Sequence, residues 1–276
     1  SYYNWRPQGQ IVSTLYDHMS IPVEKLLPLD NSHFCSFDNK GDAILYNVKI
    51  NSDDEILIQK KWEYFREDKK DILYKNNISV LDDTSFVLSL GNTLYQYNAN
   101  IPPKAIDFSL KLCKSKDDSY ITCIKPHDIS SKENQQILYC TENGSINLYD
   151  NRVKDNNSLD LIVPKEKGMM ICISESFEKN QYLIGTLDGC LLKYDLRINS
   201  LVKDFQYSND SPILGIYLYK LSKANDYEFS IKNNNYMILW TGSEEHEISF
   251  FDYSNLNCDL LLKLNIQSNG NEELNP

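Results

Sequence analysis

The sequence predicts an all-β chain, folded as a β-propeller of repeated antiparallel sheets. Three observations carry this expectation. First, one pattern recurs: an apolar run, a tight turn with glycine, a second apolar run and a closing tyrosine. It is read at 181–197 (QYLIGTLDGCLLKYDLR), at 136–152 (QILYCTENGSINLYDNR) and at 33–48 (HFCSFDNKGDAILYNV). Asp-Gly or Asn-Gly between strand-like runs is the strongest short-range hairpin signal. Second, the turn glycines Gly41, Gly144 and Gly189 each lie five residues before Tyr46, Tyr149 and Tyr194. Third, the five closing aromatics Tyr46, Tyr97, Tyr149, Tyr194 and Phe251 are spaced by 51, 52, 45 and 57 residues. A hairpin repeating at such a period implies an array of sheets with long loops rather than one mixed domain.

Residues 1–9 read as a lead-in segment, 10–266 as the propeller and 267–276 as a polar tail. Residues 10–16 alternate like a strand but have no hairpin partner. In a closed ring such a strand completes the last sheet across the closure and leaves no raw edge. Blade one is expected at 23–29, 33–37 and 43–48. Residues 50–71 break the rhythm and are read as an outer strand followed by a disordered loop. Blade two is weaker, at 78–81, 85–90, 93–97 and 108–112; Gly91 stands six residues before Tyr97, a slip of one. Blade three is expected at 121–125, 137–140, 146–150 and 159–163, with a loop over 126–134. Blade four follows at 169–174, 182–186, 190–195 and 201–205. Blade five is expected at 213–219, 236–241, 247–252 and 260–264, with a polar insertion at 222–235. Five blades and the closure strand are readable, and about seven blades are expected in all, the last absent or too diverged to read.

Composition narrows the function. The chain has 276 residues, enough for one closed all-β domain, and a formal net charge of −11. The acidic balance argues against nucleic acid as partner and against a broad footprint on anionic membranes. Seven cysteines, without a C-x-x-C pair, sit mostly beside apolar residues and read as buried thiols of a reducing compartment. The sequence has no signal peptide and no long apolar run. It begins at Ser1 without methionine and ends in a polar tail, so it is expected to be part of a longer protein.

These residues resemble the WD40 repeat family. Its usual Trp-Asp ending stands here as Tyr149-Asp150, Tyr194-Asp195 and Phe251-Asp252, and more weakly as Tyr46-Asn47 and Tyr97-Asn98. The family's Gly-His dipeptide has Asp17-His18 as its nearest counterpart, so its structural hydrogen-bond network is expected to be thinned. The segment 4–18 (NWRPQGQIVSTLYDH) is further similar to the lead into the WD40 domain of Vps15-like proteins, the regulatory subunits of class III phosphatidylinositol 3-kinase. Asn4, Trp5, Arg6, Pro7 and Gly9 match that pattern, and Asp17 replaces a glutamate. Segments 185–197 and 243–252 match later blades in the same order. The resemblance implies a non-catalytic scaffold in a lipid-kinase assembly, supporting endosomal sorting and autophagy. It implies the class III phosphatidylinositol 3-kinase catalytic subunit and Beclin-like coiled-coil subunits as partners. It also implies a cytoplasmic location, peripheral on endosomal, Golgi or autophagosomal membranes, with membrane association through the complex.

No catalytic, cofactor or metal site is expected. His18, His33, His127 and His246 are far apart and lie near turns. Cys113, Cys123, His127 and Cys140 have no common zinc spacing. Gly41, Gly144 and Gly189 are expected as structural turns, and the five closing aromatics as packing between blades. Asp150 with Arg152, and Asp195 with Arg197, each read Asp-x-Arg and are expected to form local ion pairs or to offer an arginine to a partner. Trp5 and Arg6 are expected to pin the lead-in. Trp62 sits among Lys60, Lys61, Arg66, Lys69 and Lys70 and reads as a possible contact residue in a solvated insertion. The competing function is the scaffold of another cytosolic assembly, such as a trafficking coat or ubiquitin-ligase adaptor. A propeller hydrolase would need convergent acids and histidines at the channel, which the sequence does not offer.

Overall fold

The computed structural model describes residues 23–38, 42–50, 56–64, 77–82, 84–101, 103, 109–127, 136–153, 161–207, 211–220, 235–242, 246–253 and 259–266. Trp5, Arg6, the closure strand at 10–16, Gly41, the lead-in and the tail lie outside the described residues. Among the described residues twenty strands form five four-stranded antiparallel sheets in chain order. Blade one holds β1 (Val23–Pro28), β2 (His33–Asp38), β3 (Ala43–Ile50) and β4 (Ile56–Tyr64). Blade two holds β5 (Ile78–Asp82), β6 (Ser85–Leu90), β7 (Thr93–Asn98) and β8 (Ser109–Lys114). Blade three holds β9 (Ile121–His127), β10 (Gln136–Thr141), β11 (Ser145–Asp150) and β12 (Leu161–Ile162). Blade four holds β13 (Met170–Glu175), β14 (Gln181–Thr186), β15 (Cys190–Asp195) and β16 (Ser200–Gln206). Blade five holds β17 (Ile213–Lys220), β18 (Asn235–Thr241), β19 (His246–Asp252) and β20 (Asp259–Ile266).

The first strands of successive blades touch one another: β1 meets β5, β5 meets β9, β9 meets β13 and β13 meets β17. They therefore line a common axis, and the fourth strands form the rim. This is a propeller arrangement of five blades; further blades of the expected seven have no strand among the described residues.

The strands are apolar on both faces, and each face finds a neighbouring blade. Blades one and two share a core of Leu27, Phe37, Leu45, Phe86 and Tyr97. Blades two and three share Val87, Leu94, Ile121 and Ile137. Blades three and four share Leu138, Ile146, Tyr182, Leu192 and Tyr194. Blades four and five share Leu183, Leu191, Ile213, Leu239 and Phe251. Alternation within each strand sends one set of side chains forward and the other back.

Three differences from the sequence expectation have local causes. Blade two is complete, and its glycine slip is a change of loop length. Leu90 pairs with Thr93, leaving the two-residue loop Gly91-Asn92. In blade three Cys140 pairs with Ile146, and Gly144 ends a three-residue loop with φ +85°. A two-residue loop with glycine first and a three-residue loop with glycine last differ by one in glycine-to-tyrosine spacing. Pro126 and His127, expected in a loop, extend β9, and Pro126 stands opposite Ile137. Proline is tolerated there because β9 is the edge strand of its sheet. Finally, Lys60–Tyr64 of the charged stretch belong to β4, whose mostly exposed side chains suit a rim strand.

Gly185 carries a close approach. A Cβ there would lie 2.6 Å from Cys172 Sγ and 2.6 Å from Ile213 Cγ2. Blade five can press β17 against β14 only because that side chain is missing. Gly185→Ala is expected to destabilise the fold by about 1–3 kcal/mol through overpacking. The check is a fall in the urea midpoint, partly reversed when Cys172→Ala is added.

Candidate interaction surface

In each blade the strand order puts the ends of the first and third strands at one end of the sheet and the end of the second strand at the other. The first set forms the lower face of the propeller, the second the upper. Arg152 and Arg197 follow the third strands of blades three and four, so both stand on the lower face.

Each arginine is held by the same local device. Asp195 is set at the end of β15 and is paired with Gln181 at the start of β14. Gln181 Nε2 donates to Asp195 Oδ2 at 2.8 Å. Arg197 donates from its backbone N to Oδ1 at 2.9 Å, from Nε to Oδ1 at 3.0 Å and from NH2 to Oδ2 at 2.5 Å. Blade three repeats it: Gln136 Nε2 reaches Asp150 at 2.6 Å, and Arg152 NH2 reaches the same carboxylate at 2.5 Å. The carboxylates are sunk, with side chains 4% and 12% exposed, and the arginines stand out at 59% and 53%. Hydrogen bonds from Arg197 and Arg152 hold the two aspartate carboxyls well below the usual carboxylate range. Each guanidinium is thus orientationally fixed and still presents an open edge to solvent.

Two further features share this face. Blades four and five are tied by Ser176 Oγ against Tyr253 Oη at 2.7 Å and by Tyr253 Oη donating to Glu178 at 3.0 Å. Buried Lys193 completes the tie, donating to Glu178 at 3.2 Å. In blade one His33 and Asn47 take the positions that Gln181 and Asp195 hold in blade four. Asn47 Nδ2 donates to His33 Nε2 at 2.9 Å, which leaves Nδ1–H to donate to Asp30 Oδ2 at 2.9 Å.

The remaining sequence candidates are placed as follows. Trp62 is half-buried on β4 and donates from its indole N–H to Ala99 O of blade two at 2.7 Å. Tyr97 and Phe86 stack at 5.2 Å, Tyr46 and Phe34 at 4.9 Å, and Phe251 meets Tyr207 edge-on at 5.7 Å. Tyr194 is fully buried and donates to Asn199 Oδ1 at 2.7 Å; Tyr149 is half-buried beside Cys113. Gly144 and Gly189 have φ of +85° and +76°, the left-handed region that favours glycine. His127 meets the hydroxyl of buried Tyr182. Cys123 and Cys140 face each other across β9 and β10. Burial pushes the thiols of Cys35 and Cys172 up, and that of Cys113 up to about 12, so they are not poised as nucleophiles. Among the described residues no group of three metal-ligating side chains converges.

Sequence reasoning missed the threonines that end the second strands of blades three, four and five. Thr186 Oγ1 accepts from Cys190 N at 2.9 Å. Thr141 Oγ1 lies 2.6 Å from Ser145 Oγ and donates to Asp117 Oδ2 at 3.0 Å. Thr241 occupies the same place in blade five. In blades three and four the signal was in the sequence: Thr141 and Thr186 stand two residues before Asn143-Gly144 and Asp188-Gly189.

No family model matches the chain. Among solved structures, the C-terminal WD40 domain of Sif2 superposes with a TM-score of 0.56, at 14% identity, over 91% of this chain and 61% of that one. Raptor of Chaetomium thermophilum gives 0.56 at 12% identity, over 87% of this chain and 20% of that one. The chain is a WD40-like β-propeller. In sequence it resembles serine/threonine-protein kinase VPS15 of Arabidopsis thaliana, 21% identical over 274 residues, 94% of this chain. It also resembles a probable serine/threonine-protein kinase vps15 of Dictyostelium discoideum, 20% identical over 91% of this chain. The chain spans 17% and 12% of the lengths of those two relatives.

Two outcomes test this geometry. Trp62→Phe removes the indole donor between blades one and two and is expected to cost about 1 kcal/mol in urea unfolding. The Asp–Arg pairs set a pH dependence. Their folded carboxyl values are lowered, so their stabilisation is complete above the unfolded value of about 3.9 and is lost as pH falls below it. The Asp150→Asn/Asp195→Asn variant should therefore lose less of its urea midpoint than the parent between about pH 6 and pH 3.

Proposed function

We propose that this chain is a non-catalytic interaction scaffold of a Vps15-like regulatory subunit in a class III phosphatidylinositol 3-kinase complex. The observation that carries the reading is resemblance to two Vps15 proteins over nearly the whole chain, on a propeller fold. WD40 propellers generally mediate protein interactions, and a rigid ring with turns on two faces suits that task. The catalytic work belongs to the partner lipid kinase. The partners are its catalytic subunit and Beclin-like coiled-coil subunits, and the location is cytoplasmic, peripheral on endosomal, Golgi or autophagosomal membranes. Arg152 and Arg197 are the contact candidates of the lower face. Their side chains are ordered in advance, so a partner carboxylate would bind without ordering them anew.

The test is purification of the tagged parent protein from its own cells, followed by mass spectrometry of what accompanies it. Stoichiometric recovery of a phosphatidylinositol 3-kinase and a coiled-coil subunit is expected, with the Arg152→Ala/Arg197→Ala variant recovering less of the coiled-coil subunit. Recovery of coat or ubiquitin-ligase components without a lipid kinase would overturn the reading.

A further inference from the structure

The lower face carries one device twice, on the neighbouring blades three and four. After Asp150 the chain continues to Arg152-Val153, and after Asp195 to Arg197-Ile198. Each fixed guanidinium is thus followed by a β-branched apolar residue. Both of these stand out in solvent, Val153 at 48% and Ile198 at 65%. Blades one, two and five end their third strands near Asn47, Asn98 and Asp252, and none of these has an arginine two residues on. The two turns are also joined across the seam between their blades. Asp150 accepts from Gln136, which pairs with His127 on β9. His127 Nδ1 meets the hydroxyl of Tyr182 on β14, next in the chain to Gln181, and Gln181 donates to Asp195. Leu196, between Asp195 and Arg197, packs on the core shared by blades three and four.

What this surface can hold follows from its unused groups. Each guanidinium spends Nε–H and an NH2 donor on its own aspartate, and its other N–H donors have no acceptor among the described residues. Arginine has no acceptor of its own, so a partner must supply one, and a planar carboxylate fits the open edge. The backbone of both turns is already bonded: Arg152 N to the Asp150 carboxylate, Val153 N to Asp150 O, Arg197 N to the Asp195 carboxylate and Leu196 N to Asn180 O. Recognition therefore falls to side chains and not to an added strand. A helix offers acidic and apolar side chains one turn apart along a single face. We propose that the third turns of blades three and four form one docking surface for an acidic amphipathic helix of a partner chain. Its carboxylates would meet the open guanidinium edges, and its apolar side chains would cover Val153 and Ile198. The net charge of −11 acts at longer range, where salt screens it, and leaves these directed donors in place. The surface rests on the interaction-scaffold reading, whichever assembly the scaffold serves.

The test uses the full-length parent protein in its own cells. The photo-reactive residue benzoylphenylalanine replaces Val153 in one variant and Ile198 in another. Leu187, 45% exposed on the upper face, is the control position. Cross-linked peptides are sequenced by mass spectrometry. Both lower-face positions are expected to reach one segment of a partner whose acidic and apolar residues recur at helical spacing, and Leu187 is expected not to reach it. Val153→Ser/Ile198→Ser should lower recovery of that partner by about tenfold. The same variant should keep its Tm, because both side chains are exposed. A segment in a coiled-coil subunit of a lipid-kinase complex supports the surface and the assembly together. Such a segment in another assembly keeps the surface and removes the lipid-kinase reading. Failure of either position to cross-link such a segment, even with a lipid kinase recovered, would overturn the docking surface. So would cross-links to lipid, to a segment without carboxylates, or to the same segment from Leu187, and so would undiminished recovery by the serine variant.

Discussion

A blade of this protein has two apolar faces and no interior of its own. Four strands cannot curl enough to bury either face, so stability depends on stacking one blade against the next. The cores confirm that dependence. Tyr182 and Tyr194 of blade four close over Leu138 and Ile146 of blade three, while Leu183 and Leu191 of the same strands turn the other way toward Ile213 and Leu239. Period-two alternation thus serves both neighbours from one strand. The closing aromatics take their direction from it: Tyr97, Tyr194 and Phe251 all point into the core shared with the preceding blade.

Stacking apolar faces is non-directional, and something must set how one blade sits on another. Polar ties at the two edges do this. On the upper side Asp117, in the connection between blades two and three, accepts from Thr141 and Ser145. Tyr207, leaving blade four, bonds Glu247 and Ser249 of blade five. On the lower side Ser176, Glu178 and Lys193 grip Tyr253. Such bonds stabilise modestly, yet they reject wrong stackings because a shifted blade would leave these groups unpaired. The Asp–Arg pairs belong to the same economy of order. They anchor a turn and leave a fixed guanidinium on the lower face.

Strand order and hairpins were legible because each uses neighbours in the chain. Alternation marks the strands, and Asn143-Gly144 and Asp188-Gly189 mark the turns. Even the glycine slip at Gly91 was visible, although its cause, a shorter loop, needed the pairing of Leu90 with Thr93. The extension of β9 through Pro126 was hidden because proline usually ends a strand, and only its position at the sheet edge permits it. Trp62 was misleading for a related reason. Charged neighbours suggested a solvated insertion, but alternate side chains of β4 turn inward, and Trp62 meets Ala99 of another blade.

By itself the sequence determined the all-β class, the repeated hairpins, most strand positions and the Asp-x-Arg pairs. All of these follow from interactions between residues close in the chain or from a period of two. Only the tertiary structure decided which blade each face meets, that Gly185 must lack a side chain, and that Trp62 of blade one bonds Ala99 of blade two. Those contacts join residues tens of positions apart, with no spacing rule between them. They depend on how rigid sheets stack, and no local pattern encodes that.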